Sequence, residues 1–269
     1  MMEDKFELIT IAIKDEILAV RVYGNGKKKA IAFHGYGQDG SVFEKWVNFH
    51  TEYSLYSVDL FYHGHSSWPE EQPGLSHDQF LQIFRQIINK FEIESFLLLG
   101  FSMGGKFVLS LMQTIPGKIE EVVLIAPDGI YKDFWYRLGA RSEIGKVFFK
   151  YFINHPALLF NTVKFLSNAK IVDRYFSRFT IQQMSTLEQR TKVYKSWLYL
   201  NKFFVPTNQI AKSVEKYSIP MTIVLGKHDR IISRSRVEKF AKKIKRSNVK
   251  IIESGHSKLV EAFIKDNEN

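Results

Sequence analysis

The sequence predicts an α/β fold, a mostly parallel sheet with helices on both faces. Three observations carry the prediction. Short apolar runs recur along the chain, most of them stop at a Gly, His or Asp, and stretches of helical periodicity lie between them. Residues 6–13 and 17–23 alternate apolar with polar and flank Lys14-Asp15-Glu16, so they read as an antiparallel hairpin. The apolar runs that follow are 29–33, 54–58, 96–99, 122–125, 221–225 and 249–252. Residues 78–91 place Phe80, Ile83, Phe84, Ile87 and Ile88 at helical spacing. Residues 106–113 and 234–244 behave likewise. In such sheets ligands bind at the carboxyl ends of the strands.

One region breaks the rhythm. Residues 129–206 hold no convincing core strand and are rich in aromatics, Lys and Arg. They are expected to form a helical insertion, with residues 1–128 and 207–269 as the core domain. The aromatics, among them Trp135, Tyr136, Phe148, Phe165 and Phe203, are expected to supply the insertion's own core, and its Lys and Arg the wet face.

Composition narrows the function. Hydrophobic residues make up 45% of the 269, enough for a packed core, and no apolar run reaches the ~18 residues a membrane span needs. No stable membrane insertion is therefore expected. The Met1-Met2-Glu3-Asp4-Lys5 start lacks an apolar signal core, and a cytoplasmic location is the default. The absence of Cys excludes disulfides, thiolate metal sites and cysteine nucleophiles. The net charge is +10, but the charges are spread along the chain with only short clusters such as Lys27-Lys28-Lys29, which does not single out nucleic acid as a partner.

Chemistry gathers at the strand ends. Gly100-Phe101-Ser102-Met103-Gly104 matches G-x-S-x-G between a strand and a helix, the context in which this motif presents a nucleophile. A sharp turn there lifts the Ser102 hydroxyl from the sheet, and the Met103 N–H at the helix start can face a developing oxyanion. A serine hydroxyl needs a base, and the base an orienting acid. Asp229 follows the run 221–225, and His256 follows 249–252. Each has a plainer reading, a helix-capping aspartate and a surface histidine, but their order Ser, Asp, His at three strand ends favours a triad. Asp128 is a rival acid. His34-Gly35-Tyr36-Gly37 ends the run 29–33, where the Tyr36 N–H can be a second oxyanion donor and the His34 ring is expected to hold the loop. His63 and His65 have no third partner at ligand spacing, so no metal is expected.

Taken together, the stretches "HGYG", "VDLFYHGHS", "GFSMGG", "LGKHDRII" and "SGHS" resemble, in order, a serine hydrolase of the α/β-hydrolase superfamily with a helical cap after strand six. The resemblance implies Ser102 as nucleophile, Asp229 as orienting acid, His256 as general base, and the Tyr36 and Met103 N–H groups as oxyanion hole. It implies a carboxylesterase acting on a small-molecule acyl substrate without a cofactor. Thioesterase, carbon–carbon bond hydrolase and a non-catalytic ligand-binding role are the alternatives. The carbon–carbon hydrolases usually carry a Trp soon after the histidine, where this chain has Ser257-Lys258-Leu259. Phe61 and Tyr62 stand where the family usually has Pro-Gly, so that loop is expected to be reshaped.

Overall fold

A computed structural model describes residues 6–13, 16–69, 74–131, 143–200 and 203–266. The chain forms two compact units. The first, Met1–Gln72, Ser76–Tyr131 and Phe203–Asn269, is built on one eight-stranded sheet in the order β1-β2-β4-β3-β5-β6-β7-β8. Its strands are β1 (Glu7–Ile13), β2 (Glu16–Tyr23), β3 (Lys28–Phe33), β4 (Tyr53–Asp59), β5 (Phe96–Phe101), β6 (Ile119–Ile125), β7 (Met221–Gly226) and β8 (Ser247–Ile252). The expected hairpin is present: β2 runs antiparallel to β1, and also to β4, while β3 through β8 are parallel.

Burial follows position in the sheet. Every residue of β4 and β5 is buried, because a parallel strand covered on both faces needs an unbroken apolar run rather than an alternating one. Helix α1 (His77–Lys90) buries Phe80, Ile83, Phe84, Ile87 and Ile88 and is capped by the Ser76 hydroxyl, which accepts from the Gln79 N–H at 3.1 Å. Helix α2 (Gly104–Thr114) is buried along most of its length. Phe33, Phe80, Phe107 and Phe203 form an aromatic cluster with centroids 5.1–5.7 Å apart across the Phe33–Phe107, Phe80–Phe107, Phe107–Phe203 and Phe80–Phe203 pairs. Phe203, assigned by composition to the insertion, is therefore part of the first unit's core.

The order of the strands reverses at β3. Strand β4 lies on one side of it and β5 on the other. This switch leaves a crevice at the carboxyl ends of β3 and β5, and the loops after those two strands flank it.

A buried ion pair fastens the antiparallel end of the sheet to these loops. Arg21 on β2 donates to both oxygens of Asp59 at the end of β4, at 3.0 and 3.3 Å. Asp59 also accepts from the Gly40 and His65 N–H groups at 2.7 and 2.9 Å, and Arg21 reaches Asp39 at 3.1 Å. Three positions, one on β2 and two in loops, thus meet on one carboxylate.

The rest of the first unit contains helices α7 (Thr207–Tyr217), α8 (Arg234–Ala241) and α9 (Leu259–Lys265). Periodicity extended α8 to Ile244, but the helix stops at Ala241. The Ser247 hydroxyl donates to the Ala241 and Ile244 carbonyls at 2.8 and 2.9 Å and closes that end.

The second unit, Pro73–Leu75 and Lys132–Lys202, contains α3 (Glu143–Asn154), α4 (Pro156–Asn168), α5 (Arg174–Gln183) and α6 (Leu187–Tyr199). Arg190 is buried here and donates to the Ile153, Met184 and Ser185 carbonyls at 2.8, 3.0 and 3.0 Å, so its charge faces the electronegative carboxyl ends of two helices. The aromatics divide. Phe149 stacks on Tyr194 and lies against Trp197, as a core role requires. Phe148 and Phe165 are 59% and 69% exposed, contrary to the expectation that the aromatics form the core. Trp135 and Tyr136 lie outside the described residues.

Burial alone would raise the Asp59 carboxyl, but the hydrogen bonds from Arg21, Gly40 and His65 and the Arg21 charge outweigh it and hold it below the ordinary carboxylate range. A lowered native pKa adds stability that is fully present above the unfolded value of about 3.9 and is lost as pH falls through the native value. Arg21→Met is expected to cost about 3–5 kcal/mol in urea unfolding at neutral pH, because it strands a buried carboxylate. The same variant should lose less further stability than wild type as pH drops below about 4.

Candidate active site

The turn after β5 is set by backbone strain. Ser102 has φ +48°, in the left-handed region that a residue with a Cβ enters at a cost of about 1–2 kcal/mol. Three hydrogen bonds hold it there. Its N–H donates to the Ile125 carbonyl at 2.9 Å, continuing the ladder with β6, and its carbonyl accepts from the Gly105 and Asp128 N–H groups, each at 2.9 Å. Gly104 allows the fold to close over this turn. A Cβ there would sit 2.0 Å from the Phe33 carbonyl oxygen, so α2 can begin against the end of β3 only with glycine at its first position.

The loops after β7 and β8 bring two more side chains to Ser102. The His256 Nε2 lies 3.0 Å from the Ser102 Oγ, and its Nδ1 lies 2.7 Å from the Asp229 Oδ2. The other Asp229 oxygen accepts from the Ile231 and Ile232 N–H groups at 2.7 and 3.0 Å, which fixes the carboxylate's orientation. The side chains of His256 and Asp229 are 8% and 3% exposed, so their contact is sheltered from water. The Phe101 ring packs on the imidazole with centroids 5.0 Å apart. Two backbone bonds tie the acid and base loops together, from Lys227 N–H to the Ile252 carbonyl and from His228 N–H to the Ser254 carbonyl.

Asp128, the rival acid, points elsewhere. It accepts from its neighbour's Gly129 N–H at 2.6 Å and pairs with Lys106 at 2.7 Å. The two candidate oxyanion donors sit where their loops imply. Met103 caps the start of α2, and Tyr36 lies three residues past the end of β3, in the turn that begins at His34. Among the described residues neither N–H has a hydrogen-bond acceptor. The His34 ring accepts from the Leu60 N–H at 2.9 Å and bonds the Gly35 carbonyl at 2.7 Å, so it joins the β3 and β4 loops.

The loop after β4 makes a closed turn with Phe61 and Tyr62 in place. The His63 N–H donates to the Leu60 carbonyl at 2.9 Å, and Tyr62 takes φ +65°, the conformation a glycine would adopt without strain. Tyr62 holds this conformation at a cost of about 1–2 kcal/mol. The H-x-H pair also splits: His63 bonds the Phe61 carbonyl and His65 turns to Asp59. Sequence reasoning missed the Arg21–Asp59–Asp39 group and the Gln38 side chain, which accepts from the Gly35 N–H at 3.2 Å. The available signal was a charged Arg between apolar neighbours on a strand, opposite an apolar run that ends in Asp.

Comparison with known proteins agrees with this architecture. Residues 31–263 match the family model described as the alpha/beta hydrolase fold. A Mycoplasma pneumoniae protein provisionally named esterase/lipase 3 is 27% identical over 128 residues, 47% of this chain and 46% of its own length, so the chain matches about half of that relative. A Synechocystis protein provisionally named a non-heme chloroperoxidase is 25% identical over 249 residues, 84% of this chain and 83% of its own. The solved esterase from Thermogutta terrifontis superposes with a TM-score of 0.67 over 98% of this chain and 96% of that one. At 16% identity that likeness speaks for the fold alone.

Gly104→Ala is expected to destabilise the protein by about 3 kcal/mol, because the added methyl meets rigid backbone. Gly255→Ala is the control: its methyl meets nothing within 4 Å, and unfolding should stay within about 0.5 kcal/mol of wild type. Thermal or urea unfolding of the two variants reads the difference.

Proposed function

The chain belongs to the alpha/beta hydrolase fold family, and from that premise we propose that it is a serine hydrolase cleaving ester-type acyl bonds, most simply a carboxylesterase. The observation that carries the reading is the unbroken row from Ser102 through His256 to Asp229, with contacts of 3.0 and 2.7 Å. The esterase/lipase name of the Mycoplasma relative supports it.

In the proposed reaction the Ser102 Oγ attacks the substrate carbonyl carbon while the His256 Nε2 takes the hydroxyl proton. Asp229 holds the imidazole with Nδ1–H directed at its carboxylate and stabilises the positive ring. The oxygen that gains charge is met by the Tyr36 and Met103 N–H groups, each donor of this kind being worth roughly 3–4 kcal/mol in the transition state. His256 then returns the proton to the leaving alcohol. Water, activated by the same imidazole, attacks the acyl-enzyme and releases the acid and the free serine. None of these steps calls on a cofactor. The positive end of α2 adds to the stabilisation, because its first N–H groups face the developing charge.

The test is hydrolysis of p-nitrophenyl esters from acetate to dodecanoate, with fluorophosphonate labelling followed by mass spectrometry. Ser102→Ala should abolish labelling and lower kcat by at least about 10⁴-fold. Asp229→Asn should keep the fold yet lower kcat by roughly 10⁴-fold, because the amide favours the wrong imidazole tautomer. Turnover and labelling that persist in Ser102→Ala would place the nucleophile elsewhere.

A further inference from the structure

Lys and Arg are spread along the chain, but the excess of cations over acids is not shared between the two units. Lys132–Lys202 holds 13 Lys and Arg against four Asp and Glu, and therefore nine of the ten net positive charges. The rest of the chain, with 25 basic and 24 acidic residues, is close to neutral. Four acids cannot neutralise 13 cations, so this unit presents a strong positive field whatever pairs form within it.

The same unit exposes large apolar side chains. On α3, Val147 and Phe148 are 70% and 59% exposed, and Tyr151 lies one turn further on, also exposed. On α4, Leu158 and Phe165 stand two turns apart on one side of the helix, and both are exposed, Phe165 at 69%. Ile171, just beyond α4, is exposed as well. Lys150 and Lys164 sit beside these side chains in the exposed stripes of their helices. An ordinary wet helix face would carry Glu, Lys and Gln. Here bulky hydrocarbon alternates with cations, the composition of a helix that rests in a lipid–water interface.

We infer that the helical unit docks on an anionic lipid surface, with α3 and α4 laying Val147, Phe148, Tyr151, Leu158 and Phe165 into the headgroup boundary and their lysines against the headgroups. Two other occupants fit less well. A second copy would bring one unit with nine excess cations against another, which repels. A nucleic acid would match the charge but leave Val147, Leu158 and Ile171 without an apolar partner. Among the described residues no helix is long and apolar enough to cross a membrane, so the contact is peripheral.

The test is co-sedimentation of the whole protein with vesicles of phosphatidylcholine alone and of phosphatidylcholine with about one-third phosphatidylglycerol. Binding should be at least tenfold stronger to the anionic vesicles, weaken at about 0.5 M salt, and not vanish there. Lys150→Ala with Lys164→Ala should lower the partition about 25-fold, near fivefold for each lysine removed. Phe148→Ser with Phe165→Ser should remove the salt-resistant part while leaving the melting temperature within a few degrees. Ser102→Ala should bind like wild type, which separates docking from catalysis. Equal or absent binding to the two vesicle types overturns the inference. So does binding indifferent to both Phe148→Ser with Phe165→Ser and salt, preferential capture of RNA over vesicles, or self-association without vesicle binding.

Discussion

The closest constraint in the molecule is steric. The first residue of α2 lies so near the Phe33 carbonyl that only glycine fits, and this contact lets a left-handed serine sit between β5 and the helix. Everything at the site is measured from that turn. The helix start determines where the Met103 N–H lies. The end of β3, pressed against the same glycine, determines where the loop carrying Tyr36 begins. A side chain on that residue would push strand and helix apart and shift the hydroxyl relative to the imidazole and the candidate oxyanion donors, and a misplacement of about 1 Å can cost about 10²-fold in rate.

A second, electrostatic constraint holds the opposite wall. Asp59 is inaccessible to water and takes five hydrogen bonds or ion contacts from Arg21, Gly40 and His65. Its partners come from β2, from the loop after β3 and from the loop after β4. A charge buried this way is costly to desolvate, and its value lies in selecting one arrangement of three segments. His34 acts in parallel through neutral hydrogen bonds to Leu60 and Gly35. The loop bearing Tyr36 is thus anchored at both ends, at His34 and at Gly40.

Much of this was legible in the residues. The parallel sheet followed from unbroken apolar runs such as 96–99, and Ser102, Asp229 and His256 each stood just past such a run. What escaped was tertiary in origin. Nothing near Arg21 announces that its partner lies 38 residues away, since charge pairing across strands leaves no local periodicity. The end of α8 depended on Ser247, which lies beyond the helix in sequence. Tyr62 keeps a glycine's conformation because the hydrogen bond between His63 and Leu60 overrides local preference. Phe148 and Phe165 were assigned to a core on composition, which counts aromatics without telling which side of a helix they occupy.

The contact between Ser102 and His256 spans 154 residues, whereas His256 and Asp229 are 27 apart. On a ribosome the turn at Ser102 is therefore synthesised long before His256. Under the proposed reaction, Ser102 would keep the reactivity of an ordinary alcohol until the loop after β8 brings His256 to it. By the same reaction, a chain frayed at the β8 edge keeps the Ser102 turn but loses the His256 contact, so reactivity would depend on the last strand being paired.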